Sequence, residues 1–187
     1  MKRILMLGDS LVERGNWAAL LPDLLVRNRG ISGETLSGLS CRLDSELEAS
    51  PGFDAVVLQS GTNDVWNGDP VFPAIYSTLL PRLRLLTAAP LVLCSLSPIG
   101  LVPRERIGQL NAELRQMAGQ VADCAFLDLE RPLAAALARE ERIFLADGVH
   151  FSDRGYAIWA AELCGCLRRI LDGSMQQHEK QEQRKRS

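Results

Sequence analysis

Short runs of uninterrupted apolar residues recur along the chain, at 4–7, 55–58, 91–94 and 125–127. Runs of this length, without polar alternation, predict strands buried on both faces. A further short strand is expected just before the loop Arg29-Gly30-Ile31-Ser32-Gly33. Longer segments with helical spacing lie between the runs. Asn16 predicts the cap of a helix through Trp17-Ala18-Ala19-Leu20-Leu21 toward Val26, with Pro22 in its first turns or as a kink. Thr35 opens an amphipathic helix carrying Leu36, Leu39, Leu43 and Leu47, which Pro51-Gly52 stops. Further helices are expected at about 71–87, 104–121 and 133–138, and from Ser152, as cap, to about Leu171.

Strand–helix alternation of this kind predicts an α/β fold, a three-layer α/β/α sandwich with a five-stranded parallel sheet. The expected strand order is 2-1-3-4-5, flavodoxin-like, which sets the ends of strands 1, 2 and 3 side by side. One domain is expected over residues 1–173. From 174 to 187 Gln, Glu, Lys and Arg replace apolar residues, predicting a polar tail that is disordered or a frayed helix.

Composition narrows the partners. The 187-residue chain has a formal net charge of −2 and no long basic stripe before the tail, which argues against nucleic acid. Only four apolar residues follow Lys2-Arg3 before Gly8, too few for a secretory leader. No stretch has membrane-spanning length, so the expected address is the cytoplasm. Cys41, Cys94, Cys124, Cys164 and Cys166 form no metal or redox pattern and are expected to be buried reduced thiols.

Candidate chemistry begins at Gly8-Asp9-Ser10, which closes the first apolar run. In open α/β sheets ligands bind beyond the carboxyl ends of strands, so Ser10 is a candidate nucleophile. The same tripeptide is also ordinary turn chemistry. Of the two histidines, His178 lies in the polar tail, which leaves His150 as the candidate base. Asp147, three residues earlier, can orient the imidazole; Asp153 and Asp128 are rivals, and Asp153 suits helix capping better. Candidate oxyanion donors are the amides of Ser10 and Gly33 and the side chain of Asn63. Gly33 and Asn63 equally suit plain turn and cap roles. Asp9 is expected to shape the turn rather than react. Neither a dinucleotide fingerprint nor a phosphate loop of the Walker type is present.

Four blocks in order resemble the SGNH hydrolases, the GDSL esterase/lipase family. They are Gly8-Asp9-Ser10-Leu11, Asn28-Arg29-Gly30-Ile31-Ser32-Gly33-Glu34-Thr35, Gly61-Thr62-Asn63-Asp64 and Asp147-Gly148-Val149-His150. Thr62 stands where some members have a second Gly, a variant that resembles the platelet-activating-factor-acetylhydrolase-like and sugar-ester branches. Val12 occupies the last position of the Gly-x-Ser-x-Gly elbow, which sets the chain apart from typical α/β-hydrolases.

The resemblance implies an SGNH hydrolase domain that cleaves esters through an acyl-enzyme. Ser10 would be nucleophile, His150 base then acid, and Asp147 the orienting acid; Ser10, Gly33 and Asn63 would line the oxyanion hole. It implies no metal or organic cofactor. The expected partner is a small-molecule ester with a short acyl or acetyl group. The alternatives are lysophospholipase or thioesterase activity, and a non-catalytic binding module on the same fold. Leu11, Trp17, Trp66, Ile99 and Phe151 are candidate pocket walls.

Overall fold

The computed structural model describes residues 1–49, 52–100 and 102–185, with side chains through 172. Five parallel strands, β1 (Lys2–Gly8), β2 (Leu24–Gly30), β3 (Ala55–Gln59), β4 (Leu91–Cys94) and β5 (Cys124–Leu127), form one sheet in the order β2-β1-β3-β4-β5. This is the α/β/α architecture and the strand order expected. The helices are α1 (Ser10–Glu13), α2 (Trp17–Leu20), α3 (Leu36–Glu48), α4 (Thr62–Trp66), α5 (Phe72–Leu86), α6 (Arg104–Gly119), α7 (Glu130–Ala138) and α8 (Asp153–Lys185).

The apolar runs are continuous because both sheet faces are covered. Ile4 and Met6 point into a core with α1, α2, α7 and α8, whereas Leu5 and Leu7 point into a second core with α3, α5 and α6. Trp17, Phe151, Tyr156 and Trp159 pack edge-on and stacked in the first core. Among the described residues no helix is long and apolar enough to cross a membrane.

Three expectations need correction. The helix from Asn16 ends at Leu20, and its expected continuation toward Val26 is instead β2. Pro22 ends the helical turn, and the edge strand that follows has alternating burial, which hides its apolar period beside Leu20-Leu21. Among the cysteines, Cys94 and Cys166 are buried, Cys124 and Cys164 half-buried and Cys41 exposed; all five are free. Finally, α8 runs past the expected end near Leu171. Pro51, the side chains of the polar tail and residues 186–187 lie outside the described residues.

One backbone contact sets the position of α1. Gly30, at the end of β2, carries no side chain where α1 crosses it: a Cβ there would lie 2.2 Å from the Glu13 nitrogen and 2.8 Å from the Asp9 carbonyl oxygen. The Asn28 Nδ2 holds the same crossing by donating to the Val12 and Glu13 carbonyls at 3.0 and 2.9 Å. Backbone atoms cannot yield as a flexible side chain can. Gly30→Ala is therefore expected to lower the unfolding free energy by about 1–3 kcal/mol, the usual cost of overpacking. Urea denaturation measures it, and an unchanged midpoint would show that α1 is free to shift.

Candidate active site

β1 is hydrogen-bonded to β2 on one side and β3 on the other, with Gly8 level with Gly30 and Gln59. The segments after these three strands therefore emerge together. The Ile31 amide extends the ladder past the strand ends by donating to the Gly8 carbonyl at 3.0 Å.

Ser10 opens α1 directly after β1. Asp9 caps that helix, its Oδ1 accepting from the Leu11 amide at 2.9 Å. As first residue of α1, Ser10 has an amide with no helical acceptor of its own. Ser10 is buried, 6% exposed as a residue. The expectation that Asp9 shapes the turn agrees with this cap. Burial pushes the Asp9 carboxyl up to about 6, against the lowering effect of the bonds it accepts. Its Oδ2 is buried with no hydrogen-bond partner.

His150 comes from the loop between α7 and α8. An antiparallel bridge between Phe144 and Phe151 and a bond from the Leu145 amide to the His150 carbonyl at 2.8 Å close this loop. Asp147 organises it from within. One carboxylate oxygen accepts from the Val149 and His150 amides, each at 2.9 Å, and the other lies 2.7 Å from His150 Nδ1. The turn reading and the orienting reading of Asp147 thus describe one set of bonds. The Val149 amide first, then the His150 ring and amide, hold this carboxyl well below the usual carboxylate range.

His150 Nε2 lies 3.0 Å from Ser10 Oγ, across 140 residues of sequence. A carboxylate only accepts, so Nδ1 carries a proton, and in the neutral ring Nε2 is then the acceptor for the serine hydroxyl. Neither rival joins them. Asp128 accepts from Arg115 and from the Arg131 amide, and Asp153 begins α8 beside Ser152, whose Oγ caps the helix by accepting from Gly155.

Gly33 and Asn63 come from the neighbouring segments. Gly33 is exposed with φ +77°, a conformation that glycine adopts without strain, and a Cβ there would meet nothing within 4 Å. Asn63 sits in the first turn of α4, and its Nδ2 donates to the Glu34 carbonyl at 2.9 Å. An amide nitrogen carries two hydrogens, so one donor is left over.

The sequence reading missed what holds these segments. Asp64 accepts from the Leu36 amide with both oxygens, at 3.2 and 3.0 Å, and so joins α4 to the start of α3. Burial raises its pKa from the ordinary value. Glu13 accepts from the Ser32 amide at 3.1 Å and from the Ser32 hydroxyl. Arg42 grips Glu34 through two bonds of 2.7 and 2.6 Å. Only the Arg42–Glu46 pair, at i,i+4, had a local signal.

The expected pocket walls are largely core. Leu11, Trp17 and Ile99 are buried and Trp66 is half exposed. Phe151, itself buried, lines a groove of about 560 Å³ with Arg14, Leu20, Leu145 and Tyr156; neither Ser10 nor His150 lines it. Among the described residues no three His, Cys, Asp or Glu side chains cluster as metal ligands would.

No curated protein matches the chain. Solved structures do, over nearly its whole length. A protein from Streptococcus pneumonia, described provisionally as a platelet activating factor, superposes with a TM-score of 0.79 at 24% identity, over 89% of this chain and 84% of that one. The acetylxylan esterase Axe2 of Geobacillus stearothermophilus, solved as a catalytic mutant, gives 0.73 at 21% identity over 90% and 94%. A Clostridium thermocellum family 3 carbohydrate esterase gives 0.73 at 20% over 91% and 98%. At these identities the likeness establishes the fold. The family model of the GDSL-like lipase/acylhydrolases matches residues 6–158, and the chain belongs to that family of ester hydrolases.

Proposed function

We propose that this protein is a serine esterase that cleaves small carboxylic esters with short acyl groups through an acyl-enzyme. The observation that carries the reading is the unbroken chain from Asp147 through His150 to Ser10, with contacts of 2.7 and 3.0 Å. Ser10 Oγ attacks the carbonyl carbon and its proton passes to His150 Nε2. Asp147 keeps the ring in the accepting tautomer and stabilises the imidazolium. The oxyanion takes hydrogen bonds from the Ser10 and Gly33 amides and from Asn63 Nδ2. The leaving alkoxide recovers the proton from His150, and water repeats the sequence on the acyl-Ser10 ester. Acetyl esters of sugars are the favoured substrates, because two structural neighbours are carbohydrate esterases by description.

Hydrolysis of p-nitrophenyl esters tests the nucleophile and the acyl length together. Acetate and butyrate are expected to be better substrates than long-chain esters. Ser10→Ala should lower kcat by at least about 10³-fold and abolish labelling by a fluorophosphonate. Wild-type turnover in that variant would remove Ser10 from the reaction. Asn63→Ala is expected to cost on the order of 10²–10³ in kcat, the loss of one preformed donor. A change confined to KM would mean that Asn63 binds the ground state and the transition state equally and is not a specific oxyanion donor.

The buried Asp9 makes a separate claim about stability. Its pKa is about 6 in the folded protein against an ordinary value of 3.8. Below pH 4 the group is protonated in both states and contributes nothing. Between the two values the folded protein holds the extra proton, so stability falls as pH rises. Above the folded value the full cost remains, about 3 kcal/mol. The difference in unfolding free energy between Asp9→Asn and wild type should therefore move in favour of the variant between pH 4 and 7. A difference independent of pH, measured by denaturation at both values, would contradict it.

A further inference from the structure

We infer that Arg42 is a positioning residue that holds two of the proposed oxyanion donors, Gly33 and Asn63, through its fork on Glu34. The inference rests on the esterase reading above.

Gly33 has no packing of its own. It is exposed, it carries no side chain, and the space beside its Cα is empty to 4 Å. The position of its amide is therefore set by what grips the residues on either side. On one side Glu13 takes the Ser32 amide and hydroxyl. On the other the Arg42 guanidinium meets both oxygens of Glu34, at 2.7 Å from Nε and 2.6 Å from Nη2. The same Nη2 reaches the Arg29 carbonyl at 2.8 Å, and Nη1 reaches Glu46 at 3.0 Å. One planar cation thus ties the end of β2, the segment after Gly33 and α3.

Glu34 serves twice. Its side chain is held by Arg42, and its carbonyl accepts from Asn63 Nδ2 at 2.9 Å. Displacing Glu34 moves the acceptor that aims the Asn63 amide. The pair is well shielded, with side-chain exposures of 15% for Arg42 and 9% for Glu34, so bulk salt screens it weakly. A lysine can keep the charge but cannot span the acceptors that the fork spans.

A control with the same fork chemistry, though more exposed, is the pair that Arg82 of α5 makes with α3. Arg82 makes a bidentate pair with Asp44, at 3.2 and 2.5 Å, and donates to the Ser40 carbonyl at 3.0 Å. It touches no residue of the proposed site. The experiment compares Arg42→Lys with Arg82→Lys in p-nitrophenyl acetate kinetics, thermal midpoint and hydrogen–deuterium exchange. Arg42→Lys is expected to lower kcat about 10- to 100-fold with KM within about threefold of wild type, a part of the cost of losing a donor outright. Exchange of the amides at 31–35 should rise in the same variant. Arg82→Lys should leave kcat and that exchange unchanged, whatever it does to the midpoint.

Wild-type kcat in a folded Arg42→Lys, or an equal loss in Arg82→Lys, overturns the inference. If Arg42→Lys does not fold, Glu34→Ala removes the other half of the fork and must show the same kcat loss; wild-type kcat there overturns it equally. Ser10→Ala separates the two levels. Should that variant turn over normally, the esterase reading falls, while unchanged exchange at 31–35 in Arg42→Lys or Glu34→Ala would still overturn the clamp on its own.

Discussion

β1 is hydrogen-bonded along both edges, and the rest of the structure depends on that constraint. Its register with β2 and β3 brings Gly8, Gly30 and Gln59 level at the end of the sheet. Ser10, Gly33 and Asn63 then follow within two to four residues of those positions. The register cannot slip by one residue without exchanging Ile4 and Met6 with Leu5 and Leu7 between the two cores. Two apolar cores thus fix the level at which polar groups emerge. The distance from His150 to Ser10 is set from the opposite side of the sequence, by a loop whose own bonds run through Asp147.

Two aspartates show how environment, not residue type, divides the work. Asp9 and Asp147 each flank a residue of the hydroxyl–imidazole contact. Asp9 is fully buried, and burial disfavours its charged form despite the bonds it accepts. Asp147 is exposed and accepts three hydrogen bonds, so its charged form is favoured. In the proposed reaction only the second can face a developing imidazolium as a permanent anion. The first serves the backbone turn that presents Ser10, and burial of its charge is a cost borne in the folded state.

Most of this was legible where one residue type or one period decided the matter. Strands buried on both faces read as plain apolar runs, and the alternation with helices left few topologies. A single histidine outside the polar tail pointed to His150, and the three-residue spacing to Asp147. The failures share a cause as well. β2 is an edge strand with one wet face, and its period was masked by the apolar residues of the short helix before Pro22. Leu11, Trp17 and Ile99 are apolar residues, and residue type alone does not distinguish a wall from a core. The ties Glu13–Ser32, Glu34–Arg42 and Asp64–Leu36 join residues 8 to 28 positions apart that share no helical or strand period. Only folded coordinates bring them together.

These ties also follow a physical division of labour. A donor that a substrate oxygen is to reach must be left unpaired, as the role proposed for the Gly33 amide requires, and so it cannot be fixed by burying it under apolar side chains. Directional bonds to the neighbouring residues solve that conflict. They hold the backbone on both sides and leave the donor itself open. Charge-assisted bonds suit the task because their length and angle are narrowly defined, whereas apolar contacts tolerate sliding. The sheet therefore sets the position of Ser10 through packing, whereas directional polar ties hold the segments that carry Gly33 and Asn63. Ordinary stability measurements register the first kind of restraint strongly. The second kind is read most directly in rates and local exchange, whatever it adds to the unfolding midpoint.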